Sequence, residues 1–124
     1  MTPFGAKVRA MRAERGVKLK DMAASLGVSG AYLSALEHGH RGKPSWSFVQ
    51  RVIAHFNVIW DEAEELERLA QLSDPRITVN TAGLDPLATE LANRLAASID
   101  TLERQHLESL IAVLGDCVNT ADTA

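Results

Sequence analysis

Two pairs of basic side chains flank a central segment in the first half of the chain. Lys18 and Lys20 form one pair, and Arg41 and Lys43 form the other. Residues 1–58 hold nine Lys/Arg and three Asp/Glu, a formal charge of +6, whereas residues 59–124 hold four Lys/Arg and thirteen Asp/Glu, a formal charge of −9. Closely spaced cations bind phosphates, whereas an acidic segment is repelled by them. The basic half therefore suits a polyanion, and we expect the acidic half to project away from it.

Histidine, cysteine and carboxylate side chains form no arrangement typical of catalysis or metal binding. His38 and His40 lie two residues apart in a glycine-containing stretch, which is a weak signal for a metal site. His106 has Glu103 and Glu108 as neighbours, an ordinary pattern for an exposed helix face, and the chain has no phosphate-loop motif. We therefore expect no catalytic residue, no metal, no cofactor and no enzymatic activity.

The segment 18–39 predicts two short helices joined by a tight turn. Gly27 ends the first helix, and Ser29 can cap the second, which we expect to span residues 31–38. Apolar residues recur at helical spacing on both helices and face inward: Met22, Ala23, Leu26, Leu33 and Leu36. This is the pattern of a helix-turn-helix, in which the second helix enters the major groove of DNA.

The motif resembles the Cro-type or phage-repressor-type helix-turn-helix family, also called the xenobiotic-response-element (XRE) family of bacterial regulators. The resemblance covers roughly residues 4–61, and these residues carry it: Gly16, Val17, Met22, Ala23, Leu26, Gly27, Val28, Ser29, Leu33, Leu36, Glu37, Gly39, Pro44 and Ser45. It implies an all-α chain with a five-helix DNA-binding domain, here followed by a short extended segment and a C-terminal helical pair. It also implies a transcriptional regulator that binds double-stranded DNA.

The resemblance indicates which residues face the DNA bases. They lie at the second motif helix, where most side chains are small: Ser29, Gly30, Ala31, Tyr32, Ser34, Ala35 and His38. None is the Arg, Gln or Asn that makes bidentate base contacts, each worth about 1–3 kcal/mol of discrimination. We therefore expect modest direct readout, with specificity drawn from DNA shape, the following loop and dimer spacing. Two interpretations of Tyr32 stay open: contact with a phosphate or base edge, or packing at the edge of the core.

A second set of residues is expected at the phosphate backbone: Arg12, Lys18, Lys20, His40, Arg41, Lys43 and Ser45. The resemblance also implies an ion pair between Arg12 and Glu37, which we expect to be exposed and to contribute only about 0–1 kcal/mol. Two positions depart from the family pattern. Lys18 replaces the usual Ser/Thr cap, so that cap is lost, and Leu19 replaces a glutamine, so we expect Leu19 to pack on an apolar neighbour.

Three further helices complete the predicted DNA-binding domain, residues 4–72. We expect the first helix at residues 4–14 and the fourth at residues 46–56, each with apolar residues at helical spacing. Trp46 is expected to pack in the core, and a position beside the DNA is the alternative. The fifth helix is expected to start near Asp61, which can cap it.

The following segment, residues 73–84, is predicted to be a linker or a short strand. Residues 76–81 are β-prone, with Ile77 and Val79 alternating with polar residues. One strand alone has no stable partner in an otherwise helical chain. These residues either pair with their copy in a second subunit or form an extended linker.

Residues 85–118 are predicted to be an acidic helical dimerisation region. Asp85-Pro86 is a typical helix start, and residues 100–103 form a possible capping box for a further helix that continues to about Gly115. The first of these helices carries an apolar stripe: Leu87, Leu91, Leu95 and Ile99. The two helices either fold back on the first five or form a homodimer interface through residues 76–114, and the second interpretation is favoured. Residues 119–124 are expected to fray.

The sequence predicts neither a membrane-spanning protein nor a secreted one. There is no run of 18 apolar residues that would span a membrane and no apolar core of a signal peptide near the N-terminus, and Cys117 is alone and cannot form an internal disulfide. We expect a cytoplasmic, nucleoid-associated protein. The favoured function is a homodimeric, sequence-specific repressor. The alternative is an antitoxin-like protein or co-regulator whose acidic half binds a partner protein.

Overall fold

The described part of the chain is built from α-helices. The computed structural model describes residues 1–123, with the backbone alone at positions 116 and 118–123. Its helices are α1 (Pro3–Arg15), α2 (Leu19–Leu26), α3 (Gly30–Glu37), α4 (Trp46–Phe56), α5 (Trp60–Gln71), α6 (Pro86–Ser98) and α7 (Arg104–Thr123), with a short 3₁₀ helix at Ile99–Thr101. Residues 1–123 contain no strand, so the predicted all-α class is confirmed, and residues 76–81 do not pair within this chain.

The chain divides into two compact units, Met1–Ile77 and Thr78–Ala124. The first unit holds α1–α5 around one hydrophobic core. Its buried side chains come from all five helices, because each carries apolar residues at helical spacing on one face. The most deeply buried apolar side chains include Phe4, Val8, Met11, Met22, Leu33, Val52 and Leu66. Leu19 and Val28 pack at the edge of this core, so the prediction for Leu19 is confirmed.

Helix α1 approaches the end of α3 closely at Gly5. A Cβ atom at Gly5 would lie 2.7 Å from the Glu37 Cα atom. This distance is shorter than real Cβ atoms tolerate, so glycine is required there for steric reasons. Thr2 strengthens the same junction, because its N–H donates to the Glu37 carbonyl at 3.0 Å while its hydroxyl accepts from the Gly5 N–H at 3.0 Å.

The predicted ion pair between Arg12 and Glu37 is present, and its expected exposure is wrong. The Arg12 Nη1 and Nη2 atoms each donate to one oxygen of the Glu37 carboxylate. The two side chains are only 8% and 2% exposed. The pair joins α1 to the last turn of α3. It therefore belongs to the class of buried ion pairs, whose disruption is costly because one charge is left uncompensated.

Serine residues cap the starts of α3 and α4, and the cap at Ser29 is the predicted one. The Ser29 hydroxyl accepts from the Tyr32 N–H at 3.0 Å, and the Ser45 hydroxyl accepts from the Phe48 N–H at 3.2 Å. Lys18 precedes α2 and makes no side-chain cap, which confirms the predicted loss. Helix α3 runs one residue earlier than expected, since a serine N-cap makes the next residue the first helical one.

Two predictions near α4 and α5 are wrong. Trp46 is 72% exposed, because the buried position in the first turn of α4 is taken by Phe48. Asp61 is not the cap of α5, which begins one residue earlier at Trp60, after Ile59. Asp61 instead lies in the first turn, where its charge complements the helix dipole.

The Ser73 side chain connects the end of α5 to the start of α1. Its buried hydroxyl accepts from the Phe4 N–H at 2.9 Å and donates to the Leu69 carbonyl at 2.6 Å. The end of α5 is thereby fixed to the start of α1.

The second unit contains α6, the 3₁₀ helix and α7. Asp85 caps α6 by accepting from the Leu87 N–H at 2.8 Å, as expected. The predicted capping box at residues 100–103 is wrong, because Asp100 lies in the 3₁₀ helix and α7 begins at Arg104. The His106 Nδ1 atom instead accepts from the Glu103 N–H at 3.2 Å. No residue of α6 is buried.

Candidate nucleic-acid interface

The turn between α2 and α3 presents one side of α3 to solvent. Gly27 ends α2 with a left-handed φ of 74°, and the chain re-enters helical geometry at Gly30. Leu33 and Leu36 face the core. The predicted base-facing residues lie mainly on the other side of the helix: Ser29, Ala31 and His38 are exposed, and Gly30, Tyr32, Ser34 and Ala35 are half-buried. The outer side of α3 is therefore accessible, and it is nearly free of long side chains.

Tyr32 packs at the edge of the core and also contacts a basic side chain. Its ring meets the ring of Phe48 edge-to-face, with 6.3 Å between centroids and an interplanar angle of 71°. The Arg41 guanidinium carbon lies 5.3 Å from the Tyr32 ring centroid, which is a cation–π distance. The packing interpretation of Tyr32 is thus observed. The contact with Arg41 carried no signal in the sequence, because it joins a helix to a loop nine residues away.

His38 and His40 follow α3 with their rings stacked, 6.5 Å apart and 15° from parallel. The His38 Nδ1 atom lies 2.8 Å from the Ser34 carbonyl oxygen. A carbonyl only accepts, so Nδ1 carries the proton and Nε2 is left as an acceptor in the neutral ring. Among the described residues, no group of three or more His, Cys, Asp or Glu side chains has the geometry of a metal site.

The cations that flank the motif are exposed: Lys18, Lys20, Arg41 and Lys43. His40 and Ser45 are exposed as well, and Ser45 also serves as the cap of α4. The Lys43 ammonium donates to the Gln71 side chain at 3.2 Å, which ties the loop after α3 to the end of α5.

Arg12, which was predicted to contact phosphate, is not one of these exposed cations. Both of its terminal nitrogens are engaged by Glu37, and its side chain is buried. The Trp46 side chain, in contrast, is exposed, and Trp46 directly follows the exposed Ser45. Sequence spacing alone gave no way to distinguish these two placements, since both residues fall on helical faces that could be buried or exposed.

A family profile described as "Helix-turn-helix domain" matches residues 3–69, more than half of the chain. The chain belongs to the helix-turn-helix domain family. The resemblance to helix-turn-helix proteins that was inferred from residues 4–61 is thereby confirmed.

Two curated relatives of this helix-turn-helix protein are from Bacillus subtilis (strain 168). The HTH-type transcriptional regulator SinR is 33% identical over 73 residues, which is 56% of this chain and 66% of SinR. The uncharacterized HTH-type transcriptional regulator RghRB is 31% identical over 61 residues, 49% of this chain and 44% of RghRB. The matches thus span less than two thirds of each relative.

A solved structure titled as a SinR protein/SinI protein complex overlaps with the helix-turn-helix chain at a TM-score of 0.43 and 21% identity. The overlap covers 94% of this chain and 98% of that one.

None of the described helices is both long enough and apolar enough to cross a membrane.

Proposed function

We propose that this protein is a sequence-specific, DNA-binding transcriptional regulator, a homodimeric repressor that reads the major groove with residues 29–38. One observation carries the proposal: α3 leaves Ser29, Ala31 and His38 exposed, and exposed cations lie at the start of α2 (Lys18 and Lys20) and in the loop after α3 (Arg41 and Lys43). The small side chains let the helix lie close to base edges, and Ala31 and Ala35 suit thymine methyl groups. The lysines and Arg41 supply the phosphate contacts that fix the register on the duplex.

The second subunit is proposed from the apolar side chains of α6. Leu87 and Leu91 are 70% and 59% exposed, and Leu95 and Ile99 continue the same stripe. Leucines repeating at i+4 on one helix face favour burial against another helix. A second copy would cover this stripe and present two recognition helices to a palindromic operator. Such a protein is expected in the cytoplasm, associated with the nucleoid.

Selection from random duplex DNA tests the proposal. Purified protein is incubated with the library at about 0.15 M salt, near physiological ionic strength, and the bound duplexes are sequenced. We expect a palindrome whose half-sites are about one helical turn apart, 10–10.5 bp. Folded protein that enriches no sequence would contradict the proposal.

A loop variant tests the phosphate contacts separately. Arg41→Ala combined with Lys43→Ala should weaken binding to all duplexes and reduce the slope of log K against log salt by about 1–2, since each phosphate contact contributes roughly 0.9. Arg104→Ala, which removes an exposed cation of α7, is the matched control and should leave the slope unchanged. An unchanged slope in the loop variant would exclude the loop from the interface.

The alternative function is that of an antitoxin-like protein or co-regulator whose acidic half binds a partner protein. It is favoured by the exposed apolar residues of α7, which include Ile111 and Leu114 at 69% and 61% exposure. The molar mass of the purified protein separates the two functions. A mass of two chains supports the homodimer, whereas a monomer that co-purifies with another protein supports the alternative.

A further inference from the structure

We propose that Tyr32 is a positioning residue in DNA binding, and that its ring holds the guanidinium of Arg41 ready for the duplex. The inference deepens the proposed function and depends on it. The ring itself is fixed, because it packs edge-to-face on Phe48, which is a buried residue of α4. Arg41 lies over this ring at 5.3 Å from the centroid. A core residue thus anchors Tyr32, and Tyr32 anchors Arg41.

Arg41 differs from three other arginines of the first unit, whose guanidinium groups are already engaged. Arg12 is paired with Glu37, Arg51 donates to the Leu26 carbonyl at 2.8 Å, and Arg15 donates to the Met11 carbonyl at 3.5 Å. Arg41 is exposed, and the contact that the described residues show for its guanidinium is the one with the Tyr32 ring. Stacking occupies the face of the guanidinium plane and leaves its N–H donors at the edge available.

The need for such an anchor follows from the loop. Gly42 follows Arg41 directly and Gly39 lies two residues before it, with positive φ values of 80° and 83°, so two residues of the most flexible type lie close to Arg41 in the loop. An arginine that is free to rotate loses that freedom when it binds, and stacking on a fixed ring removes the loss beforehand. A cation–π contact at an exposed site corresponds to roughly a two- to fivefold change in a binding constant.

The proposal assigns the role to the ring face and gives the phenolic hydroxyl none. Tyr32→Phe should therefore keep affinity for the selected operator within about twofold, whereas Tyr32→Leu should lower it roughly two- to fivefold. In an Arg41→Ala background, Tyr32→Leu should cause no further loss, because the residue that the ring positions is absent. Equal losses from Tyr32→Leu with and without Arg41 would overturn the proposal, as would a loss from Tyr32→Phe equal to that from Tyr32→Leu.

Lys43→Ala provides the matched control in the same loop. The Lys43 ammonium donates to Gln71, whereas the Arg41 guanidinium lies over the Tyr32 ring, so the losses from Lys43→Ala and Tyr32→Leu should multiply independently. Thermal unfolding of each variant shows whether Tyr32→Leu acts through stability. The DNA affinities of the double variants show whether the losses are independent. If Tyr32→Leu is as non-additive with Lys43→Ala as it is with Arg41→Ala, the substitution damages the loop in general and the proposal is overturned.

The free protein gives a readout that does not require DNA. Protons on the Arg41 side chain that lie over an aromatic ring have upfield-shifted NMR resonances. This shift should persist in Tyr32→Phe and disappear in Tyr32→Leu. Absence of the shift in the wild-type protein would overturn the inference even if DNA binding is observed. If the shift is present but the wild-type protein selects no DNA sequence, the Arg41–Tyr32 contact exists and the proposed function is wrong.

Discussion

The buried ion pair makes Arg12 and Glu37 the most sensitive polar positions of the first unit. Glu37→Leu should lower the free energy of unfolding by about 3–5 kcal/mol, because it leaves the Arg12 charge buried without a partner. The double variant Arg12→Met/Glu37→Leu should recover most of this loss, since an apolar pair needs no compensation. Urea titration measures both. Glu90→Ala breaks an exposed pair with Arg94 and should change stability by less than about 1 kcal/mol. A Glu37→Leu effect as small as this control would contradict the buried character of the pair.

Gly5 and Gly30 should respond to alanine with opposite signs. A Cβ atom at Gly5 would press on the Glu37 backbone, which cannot move aside, so Gly5→Ala should cost about 1–3 kcal/mol. A Cβ atom at Gly30 would lie 3.5 Å from Leu19 Cδ2, an ordinary contact. Gly30→Ala should therefore stabilise by up to about 1 kcal/mol through lower backbone entropy in the unfolded chain. The melting temperature of Gly5→Ala should lie below that of the wild type, and the melting temperature of Gly30→Ala should lie above it. Two shifts of the same sign would contradict the prediction.

At the scale of an element, the proposed phosphate contact of Lys18 would account for the missing cap of α2. Lys18→Ser should stabilise the fold by about 0.5–2 kcal/mol by supplying the missing N-cap acceptor. The same change removes an exposed cation, so the salt slope of DNA binding should fall by about 0.9. Ser29→Ala, the reverse change at the neighbouring helix start, should destabilise by a similar amount. A gain in stability without weaker DNA binding would show that Lys18 does not meet a phosphate.

The elements were predictable where local signals agree. Helix α4 has the expected bounds because Ser45 caps it, Asn57 tolerates the left-handed end and apolar residues recur between them. The capping box at residues 100–103 failed because a cap also needs the chain to enter at the right angle, and there a 3₁₀ turn continues from α6. Sequence patterns record which residues are able to cap a helix, and tertiary geometry selects among them.

The sequence located the candidate site as a set of positions, and among its side-chain contacts it predicted only the Arg12–Glu37 pair. Motif spacing located the small residues on the outer side of α3, such as Ala31 and Ser34. The burial of Arg12 and the stacking of Arg41 on Tyr32 depend on how α1, α3 and the loop pack together in three dimensions. Such contacts join residues far apart in sequence, so no periodicity reports them.

At the scale of the whole molecule, the exposed stripe of α6 should decide the oligomeric state. Leu91→Asp places a charge at the centre of the stripe, where a second copy would desolvate it. Because Leu91 is exposed within the chain, the helix should fold unchanged while the dimer dissociates. Sedimentation equilibrium should show one chain instead of two, and affinity for a two-half-site operator should fall toward that for a single half-site. Asn93→Asp adds the same charge at an exposed polar position of α6 and should leave a dimer. A dimeric Leu91→Asp protein would place the subunit interface elsewhere.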